Sequence, residues 1–130
     1  MPTSGGNLDA EVGAVLASLR RSGAVLVNVG HGRDPLSAAR AAAFVAAWQD
    51  VGQVGLVVSW PAVAASWLRP ARRLVSGAPD AWVVADSPEG WAGLSPRLAS
   101  TPGWRADRTF VFPGLPEAPR RFETESRGHP

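Results

Sequence analysis

Among the residues able to do chemistry, His31 has the most particular setting. It lies between Gly30 and Gly32, directly ahead of Arg33-Asp34-Pro35, and the other histidine of the chain, His129, is the penultimate residue. An imidazole can accept a proton near neutral pH or ligate a divalent metal, so a general base or metal ligand is the chemistry on offer. The plainer alternative is a turn histidine holding one backbone group. Three further positions join it as candidates: Ser59 and Trp60 at the end of one apolar run, and Asp86 at the end of another, with Glu89 three residues on. Asp86 and Glu89 could supply carboxylates to a metal, or serve as charges at a helix start.

The segments that must position these residues follow from periodicity. Ala24–Gly30 is Val-rich and apolar apart from Asn28, as expected of a strand buried on both faces. Gly30-His31-Gly32 then reads as a tight turn. Asp34 is a good N-cap and Pro35 suits a first helical position, predicting a helix to about Val51. Its apolar side is Phe44, Trp48 and Val51, with Arg40 and Asp50 toward solvent and Gly52 as the stop. Before the first strand, Val12, Val15, Leu16 and Leu19 mark one face of a helix reaching Arg21, with Gly23 to end it.

Three more strands are expected near 53–59, 81–86 and 108–112. A helix from Pro61 carries Val63 and Trp67, kinks at Pro70 and stops at Gly77. Another, capped by Ser87-Pro88, presents Trp91, Leu94 and Leu98 and is interrupted near Pro96. Strands alternating with helices predict an α/β fold: a three-layer αβα sandwich around a mostly parallel sheet of about four strands. In such sheets ligands sit at the carboxyl ends of the strands, where His31, Ser59 and Asp86 fall. We expect residues 1–6 to be disordered, 7–114 to form one domain, and 115–130 to be a loose tail.

Composition narrows the function. The chain has 130 residues, 45% hydrophobic, with no cysteine and a formal charge of +2. Lacking cysteine, it has no disulfide framework, thiol catalysis or thiolate-ligated metal. All 13 basic residues are arginine, which matches the codon usage of a GC-rich bacterium and removes Schiff-base and P-loop lysine chemistry. So small a net charge gives no reason to expect nucleic acid as a partner. No apolar run is long enough for a membrane span and no secretory leader is visible, so a cytoplasmic location without a membrane partner is expected. Ser59 lacks a Gly-x-Ser-x-Gly elbow, and no Gly-x-Gly-x-x-Gly follows the first strand, disfavouring a serine hydrolase and a dinucleotide site.

The stretch Val29-Gly30-His31-Gly32-Arg33-Asp34-Pro35 resembles the opening of the small sirohydrochlorin chelatases, which insert cobalt or iron into a tetrapyrrole. The resemblance covers about a dozen residues. It implies an α/β sandwich, His31 as the metal-binding and proton-accepting residue, and Arg33 steering the acidic arms of a tetrapyrrole. Glu89 or Asp86 would add a carboxylate ligand. The chain departs from that family in three ways: the serine between glycine and arginine is missing, no second histidine precedes His129, and a helix precedes the first strand. Two further readings therefore stand beside a chelatase. One is a non-enzymatic binding or protein-interaction module of the same fold. The other is a single lobe of a periplasmic-type ligand-binding fold, suggested by Asp80–Trp91 followed by Arg108–Pro113.

The arginines Arg69, Arg72 and Arg73 form a cluster that would bind phosphate or carboxylate, or simply face solvent. Of six tryptophans, Trp48, Trp67 and Trp91 have core spacing, whereas Trp60 and Trp104 stand beside chain breaks, as a ligand platform or interface would. Few charges and many tryptophans also lead us to expect a homodimer or a protein partner.

Overall fold

A computed structural model describes residues 4–116. Helix α1 (Ser4–Ser22) leads into β1 (Leu26–Gly32), followed by α2 (Pro35–Trp48), β2 (Gln53–Trp60), α3 (Leu68–Val75), β3 (Ala81–Ala85), α4 (Pro88–Ala99) and β4 (Thr109–Val111). The four strands are parallel in the order β2-β1-β3-β4. This is the expected three-layer α/β sandwich. Residues 4–6 begin α1 rather than forming a disordered lead, and the expected tail falls outside the described residues from 117 on.

Alternation along the strands separates two cores. Val27, Val29, Val83 and Ala85 pack with Val12, Val15 and Leu19 of α1 and Phe44 and Trp48 of α2. On the other face, Val58, Trp60, Trp82 and Val84 meet Leu74 of α3 and Trp91, Leu94 and Leu98 of α4. The first face is aliphatic, apart from Phe110, Phe112 and the stacked Phe44–Trp48 pair. Arg40, expected in solvent, instead bridges α2 to α1. Its guanidinium makes a two-pronged bond to Glu11 at 2.8 and 2.9 Å and lies 5.7 Å from the Phe112 ring centroid.

Between β1 and β2 the ladder carries an extra residue. Val27 pairs with Val54 but Val29 with Val57, so Gly55 and Leu56 stand opposite Asn28. The Asn28 side chain, fully buried, fills the gap. It accepts from the Leu56 N–H at 2.8 Å and donates to the carbonyls of Leu74 and Ser76 at 2.8 and 2.9 Å. Trp82 Nε1 donates to the same Leu74 carbonyl. Two buried donors thus dock the end of α3 onto the sheet.

Helix boundaries moved where side-chain packing overrode local signals. Residues 61–67 are not helical, and Val63 is 72% exposed. The Trp67 ring lies against Gly93 of α4, and Ser66 Oγ accepts the Leu68 N–H to start α3 there. Pro70 consequently falls in the first turn, where a missing N–H costs nothing, and no kink is needed. Pro96 does not interrupt α4: it and Ala92, the residue whose carbonyl it cannot serve as a donor, are both exposed to solvent. The apolar face of α2 ends at Trp48, and Val51 lies beyond it, 49% exposed.

Candidate functional site

The first correction concerns Gly30-His31-Gly32. It is not a turn but the last part of β1, with His31 paired to Ser59 on one side and Ala85 on the other. Neither glycine has a positive φ. They are needed for space. A Cβ on Gly30 would lie 2.5 Å from the Trp60 ring, and one on Gly32 would overlap the Asp86 carboxylate. Gly90 of α4 faces the same carboxylate, with 2.6 Å between its Cβ position and Oδ2.

Asp86 therefore sits in a slot made by the absence of side chains. It is 5% exposed, takes a 2.7 Å bond from Trp60 Nε1 and a 2.7 Å bond from its neighbour's N–H at Ser87. Burial pushes its carboxyl above the ordinary aspartate range, and the nearby Asp34 charge adds to this, while the Trp60 and Ser87 bonds oppose it. Both oxygens are thereby engaged in the protein. Trp60 is 1% exposed and Trp104 5% exposed, so neither ring is a ligand platform; each is part of the α3/α4 core. Trp48 and Trp91 are buried as expected, and Trp67 is half-buried.

Around this buried pair lies an accessible rim. His31 is half-buried, and its Nδ1 stands 2.6 Å from the Gly32 carbonyl oxygen. A carbonyl can only accept, so Nδ1 is the donor, and in the neutral imidazole Nε2 is the acceptor. Arg33 is exposed and donates from Nε to Ser59 Oγ at 3.3 Å, spanning the ends of β1 and β2. Asp34 caps α2 through a 3.0 Å bond from the Ser37 N–H. Burial works to raise the Asp34 carboxyl, but the Ser37 hydroxyl and N–H bond to it and hold it below the usual range. Ser87 caps α4 through the Gly90 N–H, and Glu89 is exposed in that helix's first turn, where its charge suits the dipole.

The strand order places β1 between β2 and β3, so the crossovers from β1 and from β2 leave in opposite directions. The carboxyl ends of the adjacent strands β1 and β3, whose onward connections run to opposite sides, form a switch point of the kind where ligands of open α/β sheets bind. His31, Ser59, Arg33 and Asp86 do converge there. Glu89 joins no metal-binding group: among the described residues no three His, Asp or Glu side chains come close enough to hold a metal ion.

Beside the rim a cleft of about 770 Å³ opens between the end of β2, residues 61–66 and α3. Arg33, Ser59 and Trp60 border it, as do Ala64, Ala65 and the arginines of α3, Arg69, Arg72 and Arg73. The sequence left these arginines either as a phosphate- or carboxylate-binding cluster or as a solvated helix face; they are exposed, and all three border one concavity. Their spacing, i, i+3 and i+4, was the signal that they share a face. Asn28 was missed altogether: a polar residue in an apolar strand gives no hint of which carbonyls it will meet.

No family model matches this sequence, and no curated protein does. Solved structures of similar fold do exist. A substrate-binding periplasmic protein from Ralstonia solanacearum superposes with a TM-score of 0.65 at 14% identity, over 82% of this chain and 30% of that one. An extracellular ligand-binding receptor from Rhodopseudomonas palustris gives 0.60 at 18% identity, over 69% and 26%. A Silicibacter pomeroyi protein assigned to a branched-chain amino acid ABC transporter gives 0.60 at 16% identity, over 78% and 27%. Identities this low establish likeness of fold. The chain spans less than a third of the length of each.

Proposed function

We propose that this chain is a small-molecule-binding module built like one lobe of a periplasmic-type ligand-binding protein, which holds a ligand rather than transforming it. The observation that carries this reading is the cleft of about 770 Å³ at the carboxyl end of the sheet, with Arg33 and Ser59 on its border. Its volume lies within the range of small-molecule sites. The buried Asp86–Trp60 pair beneath gives the rim a rigid base, since both partners are fixed by packing against Gly30, Gly32 and Gly90. The fold shared with the substrate-binding periplasmic protein and the extracellular ligand-binding receptor supports the same reading. A homodimer or protein partner belongs to this proposal as well, because the rim residues Arg33 and Asp34 are exposed and a second surface would close over them.

The test is a thermal-shift screen with amino acids, carboxylic acids, sugars and phosphate esters. A ligand at a hundred times its Kd stabilises the fold by about 2.7 kcal/mol, a rise that is easily measured. Ala65→Trp, at an exposed cleft residue, is expected to abolish the rise without unfolding the protein. If no compound shifts the transition, or the shift survives Ala65→Trp, the reading is wrong.

A second reading keeps tetrapyrrole chemistry, with cobalt or iron as substrate. It is supported by the half-buried His31, whose Nδ1 is held by the Gly32 carbonyl so that, in the neutral imidazole, Nε2 is the atom that would accept a pyrrole proton. Absorbance titration with sirohydrochlorin decides it. Binding that is lost in His31→Ala supports the idea, and equal or absent binding in both proteins ends it.

A further inference from the structure

From the chemistry of the cleft wall we infer that the ligand is a small polyanion, carrying two or more phosphate or carboxylate groups. The inference rests on the reading of the cleft as a ligand site and names the class of molecule that fits it.

Four guanidinium groups border the cleft: Arg33 from the loop after β1, and Arg69, Arg72 and Arg73 from α3. No aspartate or glutamate is among the bordering residues. Arg40 and Arg105 are matched by Glu11 and Asp107 elsewhere in the fold, but among the described residues none of these four has an ion-pair partner. Two separate elements thus present unmatched positive charge to one concavity. Arg72 and Arg73 also suit the last turn of α3, where cations oppose the helix dipole. That accounts for two of the four and leaves Arg69, at the helix start, and Arg33 unexplained.

Guanidinium is matched in shape to the paired oxygens of carboxylate and phosphate and bonds them two-pronged. The apolar side chains of Ala64, Ala65 and Leu68 on the same border strengthen such bonds by displacing water. One anionic group can face Arg33 while another meets the α3 arginines, so ligands with separated charges are favoured over single ions. Ser59, already within reach of Arg33, offers a hydroxyl to the same oxygen atoms.

Isothermal titration at low salt tests this with three probes: inorganic tripolyphosphate, propane-1,2,3-tricarboxylate and acetate. The first two are expected to bind and acetate to bind at least about 100-fold more weakly. The better of the two polyanions identifies phosphate or carboxylate as the natural group. Arg72→Gln with Arg73→Gln should weaken binding by about 10-fold or more per guanidinium removed. Arg20→Gln with Arg21→Gln, at the end of α1, should leave it unchanged. All four positions are exposed, so the variants are expected to keep the wild-type melting temperature.

Unchanged affinity in the Arg72/Arg73 variant, or equal loss in the Arg20/Arg21 variant, overturns the proposal. So does binding of a duplex DNA oligomer as tight as tripolyphosphate, which would mark an unselective basic face. If uncharged compounds stabilise the fold through the cleft and tripolyphosphate does not bind, this inference falls while the ligand-module reading stands.

Discussion

At the amino end of the strands the charged groups are bonded to backbone, whereas at the carboxyl end several are left open. Asp80 Oδ2 accepts the N–H groups of Val25 and Leu26 at 2.9 and 2.8 Å, closing the start of β1. Arg108 donates to the carbonyls of Asp80 and Ser22, tying the start of β4 to β3 and α1. At the opposite end only Asp86 is sealed in, while Arg33 and the α3 arginines have no carboxylate and His31 keeps a free nitrogen among the described residues. The amino end uses charge to fasten chain to chain. The carboxyl end is fastened instead by shape, through rings and a carboxylate filling the space over glycines.

That contrast predicts a ranking of mutational effects. The largest belongs to the shape-fastened end: Gly30→Ala forces a methyl group against the Trp60 ring and should cost about 2 kcal/mol in urea denaturation. A loss under a quarter of that would show the packing to be loose. Next comes Asp80→Ala, which leaves two backbone N–H groups to water and should cost about 1 kcal/mol.

The two aspartates should also respond to acid in opposite directions. The Leu26 and Val25 N–H groups hold the Asp80 carboxyl below its usual value, so its contribution is present above the unfolded value of 3.8 and lost as pH falls through the folded one. For Asp86, raised by burial, stability is gained as pH falls from above its folded value toward 3.8. Carboxyl titration by NMR should place Asp86 above Asp80; the reverse order would contradict the burial argument. Smallest of all is Arg33→Ala, which removes one exposed 3.3 Å bond and should change stability by less than about 0.5 kcal/mol. A larger loss would mean that the open rim is structural.

Much of the fold was readable because its signals are local. Asp34-Pro35 and Ser87-Pro88 mark two helix starts where the caps are made, Gly23 ends α1 with a φ of 79°, and the Val-rich runs lie within the strands. What failed depends on contacts between distant residues. Nothing near Pro61 reveals that Trp67 will lie against Gly93 and delay α3, and nothing near Arg40 foretells Glu11. The candidate site was half readable for the same reason. Strand ends brought His31, Ser59 and Asp86 to one rim, but that Asp86 would be buried beneath Trp60 depends on glycines in two other elements. Glycine-histidine-glycine suggested a turn because glycine favours turns, whereas here it makes room.

The extra residue opposite Asn28 has a consequence for how β2 is written. Ahead of it Val54 faces α1 and α2; after it Leu56, Val58 and Trp60 face α3 and α4. All four numbers are even, so a regular strand would have turned every one of them to the same side. One inserted residue acts as a frameshift in the two-beat code of the strand, letting a single apolar phrase address both layers in turn. Deleting Gly55 would leave Leu56 alone opposite Asn28 and keep every later pair, Val57 with Val29 through Trp60 with Gly32, so the shortened strand would hold Trp60 on the same face by plain alternation.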